Sequence, residues 1–259
     1  MITLTSDFGI KDPYVAEMKG AILSINPNAK IIDVSHEVTK FNIRMAAFFL
    51  ASAAPYFPKR TVHLAVVDPG VGTERRAIIV QTTQGFFVGP DNGVLMLAAQ
   101  AQGIKHIYEI TNPKFILPCL SSTFHGRDIF APVSAHLDKG VEPAEFGLKV
   151  KDVIVQKFVN IKRKNNLLHS EVLHVDSFGN VITNIKKTDL FQTTILTVNL
   201  HNVSLEVPMT ETYGQVKHSD ALALIGSHGF LEFGLNQGSF SEKYRVNNGD
   251  RLDVILPKT

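Results

Sequence analysis

The sequence predicts an α/β protein. An N-terminal, mostly parallel α/β sandwich domain covers residues 1–150, and a smaller antiparallel β domain, a barrel or a sandwich, covers residues 165–259. Three observations carry this reading. Strand-like apolar runs alternate with segments of helical apolar spacing through the first part of the chain, the pattern of a parallel sheet covered on both faces. Beyond that part only short strands remain, separated by turn residues. Hydrophobic residues make up 44% of the 259 and charged residues 19%, a balance that supports packed cores and argues against disorder.

Taken in order, "MITLTSD" reads as a first strand, and "DPYVAEMKGAILSINP" as a helix with Asp12 as its N-cap and Pro13 at the first helical position. "AKIIDVS" is a second strand and "NIRMAAFFLASAAPYF" a helix ending near Pro55. "TVHLAVVD" is a third strand, followed by the strand pair "RAIIVQT" and "GFFVGPD". "GVLMLAAQAQG" is a helix stopped by Gly103, "IKHIYEI" a strand, and "GRDIFAPVSAHLDKG" a helix ending at Gly140. The join runs from Gly147 to Asn166, where "KRKNN" reads as a polar loop. Seven short strands then follow: "SEVLHVD", "NVITNI", "TILTVNL", "VSLEVP", "ALALIG", "GFLEFG" and "RLDVIL". The turn signals "FGN", "LHN", "SHG" and "NNGD" separate them.

The bulk properties exclude several classes. A net charge of +2 gives no electrostatic reason to expect a nucleic acid or a membrane as partner. The one cysteine, Cys119, cannot form an internal disulfide, and its apolar context reads as a packed, inert thiol in a reducing compartment. No apolar run reaches the roughly 18 residues of a spanning helix. "MITLTSDFG" lacks the basic start of a signal peptide, so the expected location is cytoplasmic. No His/Cys cluster has metal-ligand spacing, and neither a metal nor another cofactor is expected.

Ligands of open parallel sheets sit at the carboxyl ends of the strands. Three polar segments fall there. In "TSDFGIKD", Asp7 ends a strand; it can accept two hydrogen bonds from a vicinal diol, or it can simply form a turn. "VDPGVGTERR" fits neither a Walker loop nor a dinucleotide fingerprint. Its Asp68 followed by Arg75 reads either as an oriented, charge-paired acid or as a surface ion pair. "STFHGRDIF" offers His125, which either handles a proton or caps a helix, and the adjacent Arg127 and Asp128 read as structural. A fourth loop, "VDSFGNVITN" in the β domain, places Asp176 and Asn180 on a glycine turn; the asparagine can read a purine edge or belong to an Asx turn.

The set "TSDFG", "VDPGVGTERR", "PDNG", "TFHGRDIFAP", "DSFGNVITN" and "GSHGFLE" resembles the S-adenosylmethionine hydroxide adenosyltransferase family, adenosine-forming hydrolases related to the fluorinase and chlorinase. The likeness runs through essentially the whole chain in order. It implies an α/β domain followed by a β-barrel, and homotrimers whose sites lie between the α/β domain of one subunit and the β domain of the next. It implies S-adenosyl-L-methionine as substrate, hydrolysed to adenosine and L-methionine by in-line attack of water on ribose C5′. Asp68, Arg75 and His125 match the triad that handles the water, with Asp68 and Arg75 expected to fix it and His125 to accept or relay its proton. Asp7 matches the aspartate on the ribose hydroxyls and Phe41 an aromatic that packs on the ribose. Asp12, Asp176 and Ser227 match contacts to the methionine amino and carboxylate groups, and Asn180 matches the adenine reader.

Two residues depart from the fluorinase pattern. His228 stands at the position of an arginine on the substrate carboxylate, and Tyr14 at that of a serine. The chain also lacks the long insertion after "TERR". Together with Asp68 and His125, that absence favours water as nucleophile over halide. A chloride-using halogenase and a non-catalytic S-adenosylmethionine-binding module are the alternatives.

Overall fold

A computed structural model describes residues 1–156, 161–190, 193–201 and 203–257. Part of the join (157–160) and Asn202 of the "LHN" turn lie outside the described residues. The chain divides into two compact units, Met1–Gln156 and Lys157–Thr259.

In chain order the N-terminal unit comprises β1 (Ile2–Ser6), α1 (Tyr14–Ile25), β2 (Ile31–Ser35), α2 (Ile43–Ala53), β3 (Val62–Val66), β4 (Ala77–Thr82), β5 (Phe86–Pro90), α3 (Met96–Ala101), β6 (Ile104–Glu109) and α4 (Ala131–Asp138). Its six-stranded sheet has the order β2-β1-β3-β5-β4-β6. The β2/β1, β1/β3 and β3/β5 pairings are parallel, while β5/β4 and β4/β6 are antiparallel. The short link between β4 and β5 can only close a hairpin, since a parallel pair needs a long crossover. Gly85 belongs in that link because a Cβ there would lie 2.4 Å from the Thr61 carbonyl oxygen.

The central strands are apolar on both faces because both faces are covered. Along β3, Val62, Leu64 and Val66 pack on the side of α1 and α4, with Met18, Ile22 and Val133. Ala65 and Val67 pack on the side of α2 and α3, with Met45, Leu50 and Ala98. This period of two is what the apolar run in the sequence encodes.

Asn42 caps α2, its side chain accepting from Met45 N at 3.0 Å. The expected cap of α1 by Asp12 is not formed. Pro13 itself takes helical angles (φ −73, ψ −5) as the boundary residue, which leaves Asp12 one position too early. Cys119 is exposed rather than packed, because residues 118–120 run over the surface. Among the described residues no helix is long and apolar enough to cross a membrane.

His63 on β3 is buried, sharing a 2.8 Å hydrogen bond with Thr3 Oγ1 and stacking on Phe87. Burial pushes its pKa down from 6.5 to about 4. The unfolded chain binds a proton at this ring below 6.5, whereas the folded chain resists until about 4. The neutral ring's contribution is therefore complete above 6.5 and is lost as pH falls towards 4. Between pH 7 and pH 4, the unfolding free energy should fall by about 3 kcal/mol more in the wild type than in His63→Gln. Urea titrations at both pH values measure the difference.

The C-terminal unit contains β7 (Lys162–Lys164), β8 (Leu167–Val175), β9 (Val181–Lys186), β10 (Ile195–Leu200), β11 (Val203–Pro208), β12 (Ala221–Ile225), β13 (Phe230–Leu235), α5 (Phe240–Tyr244) and β14 (Arg251–Ile255). The strands follow the order β11-β10-β14-β8-β9-β13-β12, with β7 added on β8 and every pairing antiparallel. A bridge between Met209 and Ala223 draws the two ends of this path together, so the sheet nearly closes into a barrel. Inside it are Leu168, Val181, Leu196, Val198, Phe233 and Phe240. "KRKNN" is not only a loop: Lys162–Lys164 pairs with β8 through a turn in which Asn165 has φ 55.

Candidate active site

A cavity of about 370 Å³ opens at the carboxyl ends of β1 and β3. Asp7, Lys40, Phe41, Asp68 and His125 line it, with an aromatic wall of Phe8, Tyr14 and Phe124. These three rings pack edge-on or tilted, with centroids 5.2–5.8 Å apart.

Asp68 follows β3 and begins a tight turn, Val71 N donating to its carbonyl oxygen at 3.2 Å. Gly72 has φ 77, and a Cβ there would lie 2.3 Å from the Ser122 carbonyl oxygen, so the turn requires glycine. The turn brings Arg75 back onto Asp68. Nε donates to Oδ1 at 3.1 Å and to Oδ2 at 2.8 Å, and Nη2 donates to Oδ2 at 2.6 Å. The two side chains are only 5% and 10% exposed, so this is a buried, forked ion pair. The guanidinium also lies over the Phe130 ring, 5.2 Å from its centroid.

Arg75 Nη2 lies 2.7 Å from His125 Nδ1. A guanidinium has no acceptor, so Nδ1 accepts and the neutral ring carries its proton on Nε2. Burial, and after it the charge of Arg75, holds the imidazole pKa below 6.5. His125 leads into a π-helical turn, Gly126–Phe130, which continues as α4. Arg127 clasps Glu17 of α1 at 2.8 Å and Asp128 at 2.7 Å, and the fully buried Asp128 accepts from Ser121 N at 2.7 Å. Both residues are structural, as their place in the first helical turn predicts.

The second arginine of "ERR" points elsewhere. Arg76 donates to the buried Asp91 at 2.6 and 3.0 Å, and Asn92 donates to the Val67 carbonyl oxygen at 2.8 Å. The "PDNG" motif thus anchors the end of β3 just before Asp68.

Asp7 is buried, and its Oδ2 accepts from Phe41 N at 2.8 Å. Lys40 Nζ donates to the Asp7 carbonyl oxygen. These contacts hold Phe41 at φ 64, an unusual angle for an aromatic residue, and the residue is 67% exposed where it lines the cavity.

The C-terminal unit has its own cavity, of about 640 Å³, lined by Asp176, Phe178, Asn180, Tyr213, Gln237 and Ser239 among others. Asp176 accepts from Phe178 N and Asn180 N at 2.9 and 2.8 Å, an Asx turn, and from Asn180 Nδ2 at 2.9 Å. Of the residues singled out in the sequence, Asp7, Phe41, Asp68, Arg75 and His125 therefore converge in one unit, and Asp176 and Asn180 in the other. Asp12, Ser227 and His228 are exposed and line neither cavity.

Sequence reasoning missed Lys40 and the pair Tyr213–Glu232, whose side chains hydrogen-bond each other. The available signal was an acidic residue inside the otherwise apolar run "GFLEFG".

Fold and site together define a two-unit protein, α/β followed by a β-barrel, with a buried carboxylate–guanidinium–imidazole chain beside a cavity at the strand ends. The model of the SAM (S-adenosylmethionine) hydroxide adenosyltransferase N-terminal domain matches residues 2–147, and that of the C-terminal domain residues 170–253. The chain belongs to this family. It is 39% identical to the (R)-S-adenosyl-L-methionine hydrolase of Methanocaldococcus jannaschii, across 98% of this chain and 95% of that one. A fluorinase of Actinoplanes sp. is 28% identical, across 100% of this chain and 97% of its own. The crystal structure of an uncharacterized conserved protein from Thermotoga maritima superposes with a TM-score of 0.93 at 39% identity, covering 99% of this chain and 100% of that one.

Proposed function

We propose that this protein hydrolyses S-adenosyl-L-methionine to adenosine and L-methionine. Water attacks ribose C5′ in line with the C5′–sulfur bond, the bond pair leaves with sulfur as a neutral thioether, and one proton is released. The observation that carries this reading is the Asp68–Arg75–His125 chain bordering the same cavity as Asp7.

The leaving group needs no general acid, so catalysis rests on placing the water and accepting its proton. In-line placement supplies on the order of 7–11 kcal/mol, and proton removal about 10²–10⁴-fold. With Nδ1 held by Arg75, the His125 Nε2–H can only donate. The imidazole therefore orients the water and Asp68 accepts the proton, a revision of the histidine relay expected from the sequence. Asp7 holds the ribose hydroxyls and Phe41 covers the sugar. Asp176 and Asn180 meet the amino-acid and adenine ends, and Asp12, Ser227 and His228 meet the methionine end. In a homotrimer Asp7, Asp12, Phe41 and the Asp68–Arg75–His125 chain come from one subunit and Asp176, Asn180, Ser227 and His228 from the next; sedimentation at three times the 28.5 kDa of the chain is the expected result.

Incubation with each sulfonium epimer, followed by chromatography, is expected to give adenosine and methionine, from the (R) epimer first, since relatives are named for it. Intact substrate recovered from a tight complex would refute hydrolysis, and 5′-chloro-5′-deoxyadenosine formed with added chloride would make the protein a halogenase.

Protonating His125 puts a hydrogen on Nδ1, against Arg75. Because the ring's pKa is lowered, the active neutral form persists down through 6.5 and is lost only below it. The acidic limb of activity against pH should thus have its midpoint below 6.5. In His125→Gln, whose amide can accept from Arg75 and donate to water, the acidic limb should move to lower pH.

A further inference from the structure

Bordering the barrel-side cavity, a chain of hydrogen-bonded polar side chains runs from Glu232 through Tyr213 and Asn180 to Asp176. Glu232 on β13 is buried, and its carboxylate accepts from the Tyr213 hydroxyl. Burial, and after it Glu232, keeps the phenol protonated well above its usual range. Having donated its one hydrogen, the Tyr213 oxygen can only accept, and it lies 3.4 Å from Asn180 Nδ2. Asp176 Oδ2, also an acceptor, takes an Asn180 Nδ2 hydrogen at 2.9 Å.

Two acceptors therefore flank the amide nitrogen, and the amide cannot flip without setting its oxygen against both. Its Oδ1 sits over Gly234, where a Cβ would come within 2.8 Å of Oδ1 and 3.1 Å of the Tyr213 ring. Glycine at 234 keeps this arrangement free of a clash.

We propose that Tyr213 and Glu232 are positioning residues that lock Asn180 with its carbonyl oxygen as the group offered to a ligand, which makes the site select a purine bearing an exocyclic amino group over its 6-oxo counterpart. The inference rests on the proposed reading of the site as one for an adenosyl group, and deepens it. An amino group donates to Oδ1, whereas a 6-oxo group sets oxygen against oxygen with no compensating bond. Sites built around a polar partner reject a mismatched analogue strongly, because the buried group is left unpaired.

The test measures binding of adenosine and inosine by calorimetry, together with kcat and KM for the adenosyl substrate and its inosyl analogue. Wild type, Tyr213→Phe and Glu232→Gln are compared, with melting temperatures as a control for folding. The wild type should prefer the amino purine by about 100-fold. Tyr213→Phe keeps the ring but removes the acceptor. Glu232→Gln puts an amide beside the phenol oxygen that can donate to it as well as accept from it. Both variants should cut the preference about tenfold, through KM and nucleoside affinity rather than kcat. A merely structural role would lower stability and leave the ratio unchanged; a folded Tyr213→Phe with the wild-type ratio overturns the proposal. Equal binding of adenosine and inosine by the wild type also overturns it while leaving hydrolysis standing, whereas binding of neither nucleoside overturns the underlying reading.

Discussion

Replacing Asp68 by asparagine should lower kcat for S-adenosyl-L-methionine hydrolysis by about 10³–10⁴-fold, while substrate affinity stays within a few fold. The substitution is isosteric and leaves an amide oxygen to accept from Arg75, so the turn that begins at residue 68 should persist. What it removes is the carboxylate proposed to accept the proton, since the guanidinium donates and the His125 ring is held as a donor. The effect therefore belongs to the chemical step and appears in kcat at saturating substrate. Steady-state kinetics, with an independent dissociation constant and a melting curve, check it. A folded Asp68→Asn with more than about a tenth of wild-type kcat would remove the carboxylate from the mechanism.

The second large effect is expected at Arg75. Arg75→Met should abolish turnover and also destabilise the fold by about 3–5 kcal/mol, the usual cost of leaving one member of a buried ion pair without its partner. The pair qualifies because both side chains are almost wholly removed from solvent and Asp68 draws three contacts from this guanidinium. Much of the loss should be recovered in the double variant Asp68→Asn with Arg75→Met, where no uncompensated charge remains, although activity should not return. Urea unfolding of the two single variants and the double variant supplies the cycle. A single-variant loss under about 1 kcal/mol would mean that water reaches and screens Asp68.

Much of the fold was legible because period and punctuation carry it. Buried strands such as "VHLAV" and the short link between β4 and β5 dictate both faces and the hairpin. What escaped depends on context. β7 consists of three exposed basic residues paired with β8, so no apolar pattern announces it. The cap at Asp12 failed because Pro13 moved the boundary, and Cys119 lay on the surface although its neighbours read as apolar.

In the site, Asp68 and Arg75 could be read together because one turn joins them. His125 lies fifty residues further on, and only the family resemblance linked it to them. Lys40 acts on a backbone carbonyl, which leaves no trace in local sequence, and Tyr213 meets Glu232 from another part of the barrel, a contact that the lone acid of "GFLEFG" hints at without naming its partner.

In the proposed reaction water itself attacks C5′ beside Asp68. A single turnover in heavy-oxygen water, with mass spectrometry of both products, follows that oxygen. One heavy oxygen is expected on the 5′-hydroxyl of adenosine and none in methionine. Unlabelled adenosine, or label in methionine, would contradict it.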